Sequence, residues 1–133
     1  MVNVGDKSEM SRVISESDVE AFAQVSGDHN PIHLDKEISS RGFFGRRIVH
    51  GMFGASLISS LISNDLPGEG TIYLSQNLNF LSPIHIGDEV ITRIEVTNII
   101  GRKIILTTSC IVGGKVAISG EAVVSILENF YEN

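Results

Sequence analysis

The chain has 133 residues, 42% of them hydrophobic and 20% charged, with a formal net charge of −6. That is enough sequence for one domain with its own core, and too apolar for a disordered chain. The acidic balance argues against a general nucleic-acid binder, which needs a basic face for the phosphates.

The single cysteine, Cys110, cannot form an internal disulfide, so a reducing compartment fits and the cytoplasm is the expected location. The first ten residues hold no apolar run of signal-peptide length. The stretch Ile48 to Ile62 is too short and too polar to span a bilayer, so no membrane role is expected. No repeat or linker divides the chain, and residues 1–133 read as one domain.

In chain order, residues 8–14 read as a short strand. Ser17 and Glu20 fit a capping box, which predicts a helix over about 17–25 with Val19, Phe22 and Ala23 on its apolar face. Ser26 to Pro31 is dense in turn formers and is expected to be a loop. A short helical turn over 35–40 ends at Gly42-Phe43-Phe44-Gly45. Residues 51–64 form the longest predicted helix, apolar or small on nearly every face and therefore expected to be buried. Strands follow at 71–80, 87–99, 102–112 and 115–127, where β-branched residues alternate at period two. In the last, Val116, Ile118, Gly120, Ala122, Val124 and Ile126 are assigned to one face, and Gly113-Gly114 predicts a tight hairpin before it. The expected fold is α+β: an antiparallel sheet of about five strands, curved around one long central helix.

Three features carry chemistry. In Ser26-Gly27-Asp28-His29-Asn30-Pro31-Ile32-His33, a proline-stiffened loop can turn the Asp28 carboxylate and the His33 imidazole toward one point, as an acid–base pair sharing a water. The same residues could instead build an Asx-turn at Asp28 or Asn30. Second, Gly51 opens the long helix, where unpaired amides attract negative charge and a missing side chain admits a ligand; the alternative is close packing. Third, Lys36, Arg41, Arg46 and Arg47 cluster between these features and suit a phosphate-bearing ligand, or simply a solvated face. Ser59 lies two turns beyond Gly51 and either reaches a pocket or bonds back to its own helix. Histidines 29, 33, 50 and 85 lack a metal-ligand spacing, so no metal is expected. Cys110 reads as core, and His85 as exposed.

The loop from Ser26 to Asp35, followed by Ile48-Val49-His50-Gly51-Met52, resembles the signature of the MaoC-like (R)-specific enoyl-CoA hydratases. The resemblance continues through Pro67-Gly68 and Gln76-Asn77-Leu78-Asn79-Phe80 to Gly87-Asp88-Glu89-Val90. It implies a hot-dog fold, usually a homodimer, and reversible hydration of trans-2-enoyl-CoA to (R)-3-hydroxyacyl-CoA. It further implies that Asp28 and His33 hold the water, that Asn30 orders the site, and that the Gly51 N–H faces the thioester oxygen. Ser59 would lie at the pocket, and Arg46 and Arg47 are candidate contacts for the phosphates of coenzyme A. It assigns His29 no role. Coenzyme A belongs to the substrate, and no further cofactor is implied. Two alternatives stay open: a MaoC-like 3-hydroxyacyl-carrier-protein dehydratase, and a non-catalytic acyl-thioester-binding module. Hot-dog enzymes with a catalytic carboxylate on the central helix fit less well, because residues 49–63 contain no Asp or Glu.

Overall fold

A computed structural model describes residues 1–42 and 45–127. Phe43 and Phe44, in the predicted break after the short helical turn, lie outside the described residues. Strand β1 (Lys7–Val13) is followed by helices α1 (Glu16–Ser26), α2 (Pro31–Leu34), α3 (Lys36–Ser40) and α4 (Gly51–Asn64), and then by β2 (Thr71–Phe80), β3 (Glu89–Ile100), β4 (Lys103–Val112) and β5 (Lys115–Ile126). The five strands form one antiparallel sheet in the order β1-β3-β4-β5-β2. Helix α4 lies against it, touching β1, β2, β3 and β4. This is the expected hot-dog architecture.

The sheet curves because it is bulged. Each of the pairings β2–β5, β3–β4 and β4–β5 has one register shift. Extra residues of this kind bend a strand and increase its twist. The shift between β4 and β5 corrects the expected face pattern. Cys110 pairs with Ile118 but Ile111 pairs with Val116, so Ala117 is the extra residue. Ala117 is buried and Val116 points outward instead. The Gly113-Gly114 turn forms as predicted, with positive φ at both residues (57° and 76°), the requirement of a type I′ hairpin turn.

Helix α1 starts earlier than predicted. Its N-cap is Ser15, not Ser17. The Ser15 hydroxyl accepts from the Asp18 N–H at 3.1 Å, and the Asp18 carboxylate accepts from the Ser15 N–H at 3.0 Å. Two overlapping serine-x-x-acid windows compete here. The earlier one prevails because Ile14 is fixed in the core by its two backbone bonds to Gly87 and Asp88, so the chain must turn at once. At the other end Gly27 adopts φ 78° and caps the helix, its N–H donating to Ala23 O. That left-handed residue reverses the chain immediately before Asp28.

The core is the contact of α4 with the sheet. Phe53, Leu57, Ile58, Leu61 and Ile62 pack on Val90, Ile94, Leu106, Ile118 and Val124. Cys110 sits within it, fully buried, its thiol donating to Gly54 O at 3.5 Å. Burial raises the Cys110 pKa, which keeps the thiol protonated and unreactive. Contrary to expectation, α4 is not buried all round in the single chain. Gly51, Met52, Ser56 and Ser63 are exposed, forming an outward face of small residues and one methionine.

Close backbone approach explains Gly120. A Cβ built there would lie 1.9 Å from the Asn77 carbonyl oxygen on β2, an atom that cannot rotate away. At Gly54 the corresponding clash, 2.5 Å, is with the rotatable tip of Ile118. Gly120→Ala is therefore expected to destabilise the fold by about 3 kcal/mol, the upper end of overpacking costs, and Gly54→Ala by clearly less. Chemical denaturation of the two variants measures the difference. Equal midpoints would contradict the assignment.

Candidate active site

The site begins where α1 ends. Between Gly27 and α2, the Asp28 and Asn30 side chains organise the loop. Asp28 Oδ1 accepts from the Asn30 N–H at 3.1 Å, and Asn30 Oδ1 accepts from the Ile32 N–H at 3.2 Å. Asn30 thereby caps α2, with Pro31 at its first position, where a missing N–H costs nothing. The sequence offered an Asx-turn or an acid–base pair as alternatives, and the turn is present. It uses only Oδ1 of Asp28. The other oxygen, Oδ2, faces His33 Nε2 at 4.0 Å. Helix α2 itself was missed, since one turn of four residues is too short to leave a periodic pattern.

His33 is buried on α2, while the Asp28 side chain is half exposed. Its Nδ1 lies 2.8 Å from Ile48 O. A carbonyl can only accept, so Nδ1 carries the hydrogen and the neutral ring presents its Nε2 lone pair to Asp28. Burial lowers the His33 pKa below its ordinary value of 6.5. The Ile48 carbonyl opposes this, the neighbouring His50 adds to it, and the Asp28 carboxylate opposes it. Burial prevails, and His33 is a neutral proton acceptor at pH 7. The 4.0 Å gap is too long for a direct hydrogen bond and suits a water bonded to both atoms at about 2.8 Å.

The segment that holds His33 leads into α4. Ile48 N–H donates to Ile32 O, Val49 N–H donates to Ile84 O, and Ile48 bridges His85. His85 is accordingly half-buried, not simply exposed, with its Nδ1 3.2 Å from Arg47 O. His50 is the N-cap of α4 and makes no side-chain capping bond. The first intrahelical bonds come from the Phe53 and Gly54 N–H groups, leaving the amides of the opening turn toward Gly51 as the helix's positive end. A cavity of about 360 Å³ opens there, lined by His50, Gly51, Phe80, Pro83, Ile84 and Ile118. The Phe80 ring rests on Gly51, 2.8 Å from where a Cβ would stand.

Comparison with known proteins places this geometry. The model of the MaoC like domain matches residues 3–119. The chain belongs to the MaoC-like family. It is 44% identical over 128 residues to an (R)-specific enoyl-CoA hydratase of Aeromonas caviae, covering 94% of this chain and 96% of that protein. It is 43% identical over 127 residues to a 3-hydroxybutyryl-CoA dehydratase of Methylorubrum extorquens, covering 94% and 81%. The solved structure of an (R)-hydratase from A. caviae involved in PHA biosynthesis superposes with a TM-score of 0.92, at 43% identity over 95% of this chain and 98% of that one.

Other residues of this MaoC-like site stand apart from the pair. Ser59 is half-buried on α4, about 12 Å along the helix axis from Gly51 at 1.5 Å per residue. Arg46 and Arg47 line a second cavity of about 280 Å³ with Lys36, Ser39 and Ile86. The two arginines differ: Arg47 is half-buried and ion-paired with the exposed Glu16 at 3.1 Å, whereas Arg46 is exposed and only loosely paired with Asp88 at 3.9 Å. The residue that sequence reasoning missed is His50. Its ring stacks on His33 with centroids 3.8 Å apart, and its Nε2 lies 3.0 Å from the Asp28 backbone oxygen. Adjacency to Gly51 was the only signal, and spacing alone cannot convey a stack across seventeen residues.

Because His33 is depressed in the folded protein, it binds fewer protons than in the unfolded chain at pH values below 6.5. Its contribution to stability is therefore present above that pH and lost as pH falls through the folded pKa. Unfolding free energies measured from pH 7.5 to 5 are expected to fall, and His33→Gln is expected to flatten that slope. An NMR titration placing His33 above 6.5 would contradict this.

Proposed function

We propose that this protein is an (R)-specific enoyl-CoA hydratase, adding water reversibly to trans-2-enoyl-CoA to give (R)-3-hydroxyacyl-CoA. The observation that carries the reading is the 4.0 Å gap between Asp28 Oδ2 and the unprotonated Nε2 of a buried His33, set beside the opening of α4. The names of the relatives supply the (R) configuration and the thioester substrate. As water adds, a C3–O bond forms, the C2=C3 π bond breaks, and negative charge moves to the thioester oxygen. The Gly51 N–H and the positive end of α4 stabilise that charge without reorganising. The Asp28–His33 pair takes a proton from the water and returns one to C2.

The substrate itself carries coenzyme A, and the reaction as proposed uses no metal or redox cofactor. Asp28, His33 and His50 do lie within 4.8 Å of one another. One nitrogen of each imidazole, His33 Nδ1 and His50 Nε2, however, faces a backbone carbonyl, and the proposed reaction gives the remaining His33 Nε2 to a water. Arg46, exposed at the rim of the second cavity, is the contact we assign to the coenzyme A phosphates, while Arg47 holds the loop to Glu16. Ser59 and the outward face of α4 are assigned to the acyl side.

The active form is proposed to be a homodimer. Met52, Ile72, Leu74, Phe80 and Leu81 are exposed apolar residues at the start of α4, on the edge strand β2 and just after it; among the described residues that edge is unpaired, and a second copy would cover it. Among the described residues no helix is long and apolar enough to cross a membrane. The buried free cysteine supports a cytoplasmic protein.

Loss of the conjugated enoyl absorbance of crotonyl-CoA tests the activity. Wild type is expected to turn over, and Asp28→Asn and His33→Gln to lose at least about a hundredfold in kcat while remaining folded. The acidic limb of the wild-type pH profile is expected below 6.5, following His33. Turnover of enoyl-carrier-protein thioesters only would favour the dehydratase reading. No turnover on either class would leave an acyl-thioester-binding module. Sedimentation is expected to give twice the monomer mass of 14.4 kDa, and Leu74→Lys to reduce it.

A further inference from the structure

We propose that His50 is a positioning residue that ties the Asp28 peptide to the start of α4, so that the Asp28 carboxylate, the His33 ring and the Gly51 amide hold one fixed arrangement. The inference rests on the hydratase reading for its kinetic consequence and on geometry for its existence.

The His50 side chain is 2% exposed. Its Nε2 lies 3.0 Å from the carbonyl oxygen of Asp28, so that nitrogen must donate. Its Nδ1 is buried without a hydrogen-bond partner. An imidazole that makes one bond and leaves a second buried polar atom without a partner is a poor choice for packing alone, because that atom has lost its hydration. A phenylalanine would fill the same apolar slot, between Phe22 at 4.9 Å and His33 at 3.8 Å, without that cost. What the histidine adds is the single bond to the Asp28 peptide. That bond spans twenty-two residues and joins the loop bearing the carboxylate to the residue preceding Gly51. The stack on His33 fixes the third member. Beside His50, the groups bearing on His33 are the Asp28 carboxylate and the Ile48 carbonyl.

Two substitutions in the full chain separate the bond from the ring. His50→Phe keeps the aromatic volume and removes the N–H. His50→Gln keeps an amide N–H at similar reach and removes the ring. With enoyl-CoA substrate, His50→Phe is expected to lower kcat on the order of a hundredfold with KM nearly unchanged, the scale of a misplaced catalytic group. His50→Gln is expected to recover at least about tenfold of that loss. Wild-type kcat in His50→Phe, or a His50→Gln no better than His50→Phe, would overturn the proposal. If His50→Phe does not fold, His50→Asn takes its place, since its amide falls short of Asp28 and is expected to show the same loss. A second readout needs no activity: the backbone amide shifts of Asp28 to Asn30 and the titration of His33, followed by NMR. Both are expected to move in His50→Phe, and the amide shifts to return in His50→Gln. If the wild type hydrates no enoyl thioester, the hydratase reading fails while this readout still decides the positioning role; amide shifts unchanged in His50→Phe sink it.

Discussion

Everything at the site depends on how residues 48–50 are held. Two backbone segments converge on this short extended stretch: Ile32 through the Ile48 N–H, and Ile84-His85 through the Val49 N–H to Ile84 O and the bridge between Ile48 and His85. Two side chains then attach to it or leave from it, His33 to Ile48 O and His50 to Asp28 O. On the loop side these bonds rest on the four-residue α2 alone, which carries Ile32 and His33. The stretch acts as a splint. It transfers the rigidity of the sheet, reached through residues 84 and 85, to a loop with no core of its own. Functional groups on loops need such support from a rigid scaffold.

The same arrangement sets the electrostatics. His33 is enclosed by Ile48, His50 and α2, and burial disfavours its cation more than the Asp28 carboxylate stabilises it. A closer or more enclosed Asp28 would reverse that balance, because a carboxylate in direct contact with an imidazole holds its proton. Half exposure of Asp28 and a 4.0 Å separation keep the coupling weak. The spacing that admits a water is thus also the spacing that leaves the histidine free to accept a proton.

Much of the fold was legible in the sequence, because period-two alternation and an apolar 14-residue run are strong signals over long windows. The errors fall where one local preference met a competing one. The Ser17 box lost to Ser15 because tertiary fixation of Ile14 chose between overlapping windows. Val116 was placed on the wrong face because a single extra residue, Ala117, inverts every side chain before it, and bulges leave little trace in composition. The outward face of α4 read as buried because Gly, Ala and Ser look apolar in a sequence window, whether they face a core or a groove. Within the site, Asp28, Asn30 and His33 were legible as neighbours in one loop. His50 was not, since its contact with His33 is made by tertiary stacking.

The polar atoms of the loop show why the proposed site suits a water, without appeal to resemblance. Asp28 Oδ1 is engaged by the Asn30 N–H, Asn30 Oδ1 by the Ile32 N–H, the Asp28 carbonyl by His50 and His33 Nδ1 by Ile48. What remains is Oδ2 and Nε2, two acceptors facing each other with no donor from the described residues between them. Two acceptors at that distance repel unless something donates to both. A lone hydroxyl donates once, whereas water donates twice and still presents a lone pair outward. In the hydratase reading proposed above, that lone pair is the nucleophile. The fold therefore selects the reagent by leaving two acceptors for it to satisfy, and the direction of attack follows from where they stand relative to the opening of α4.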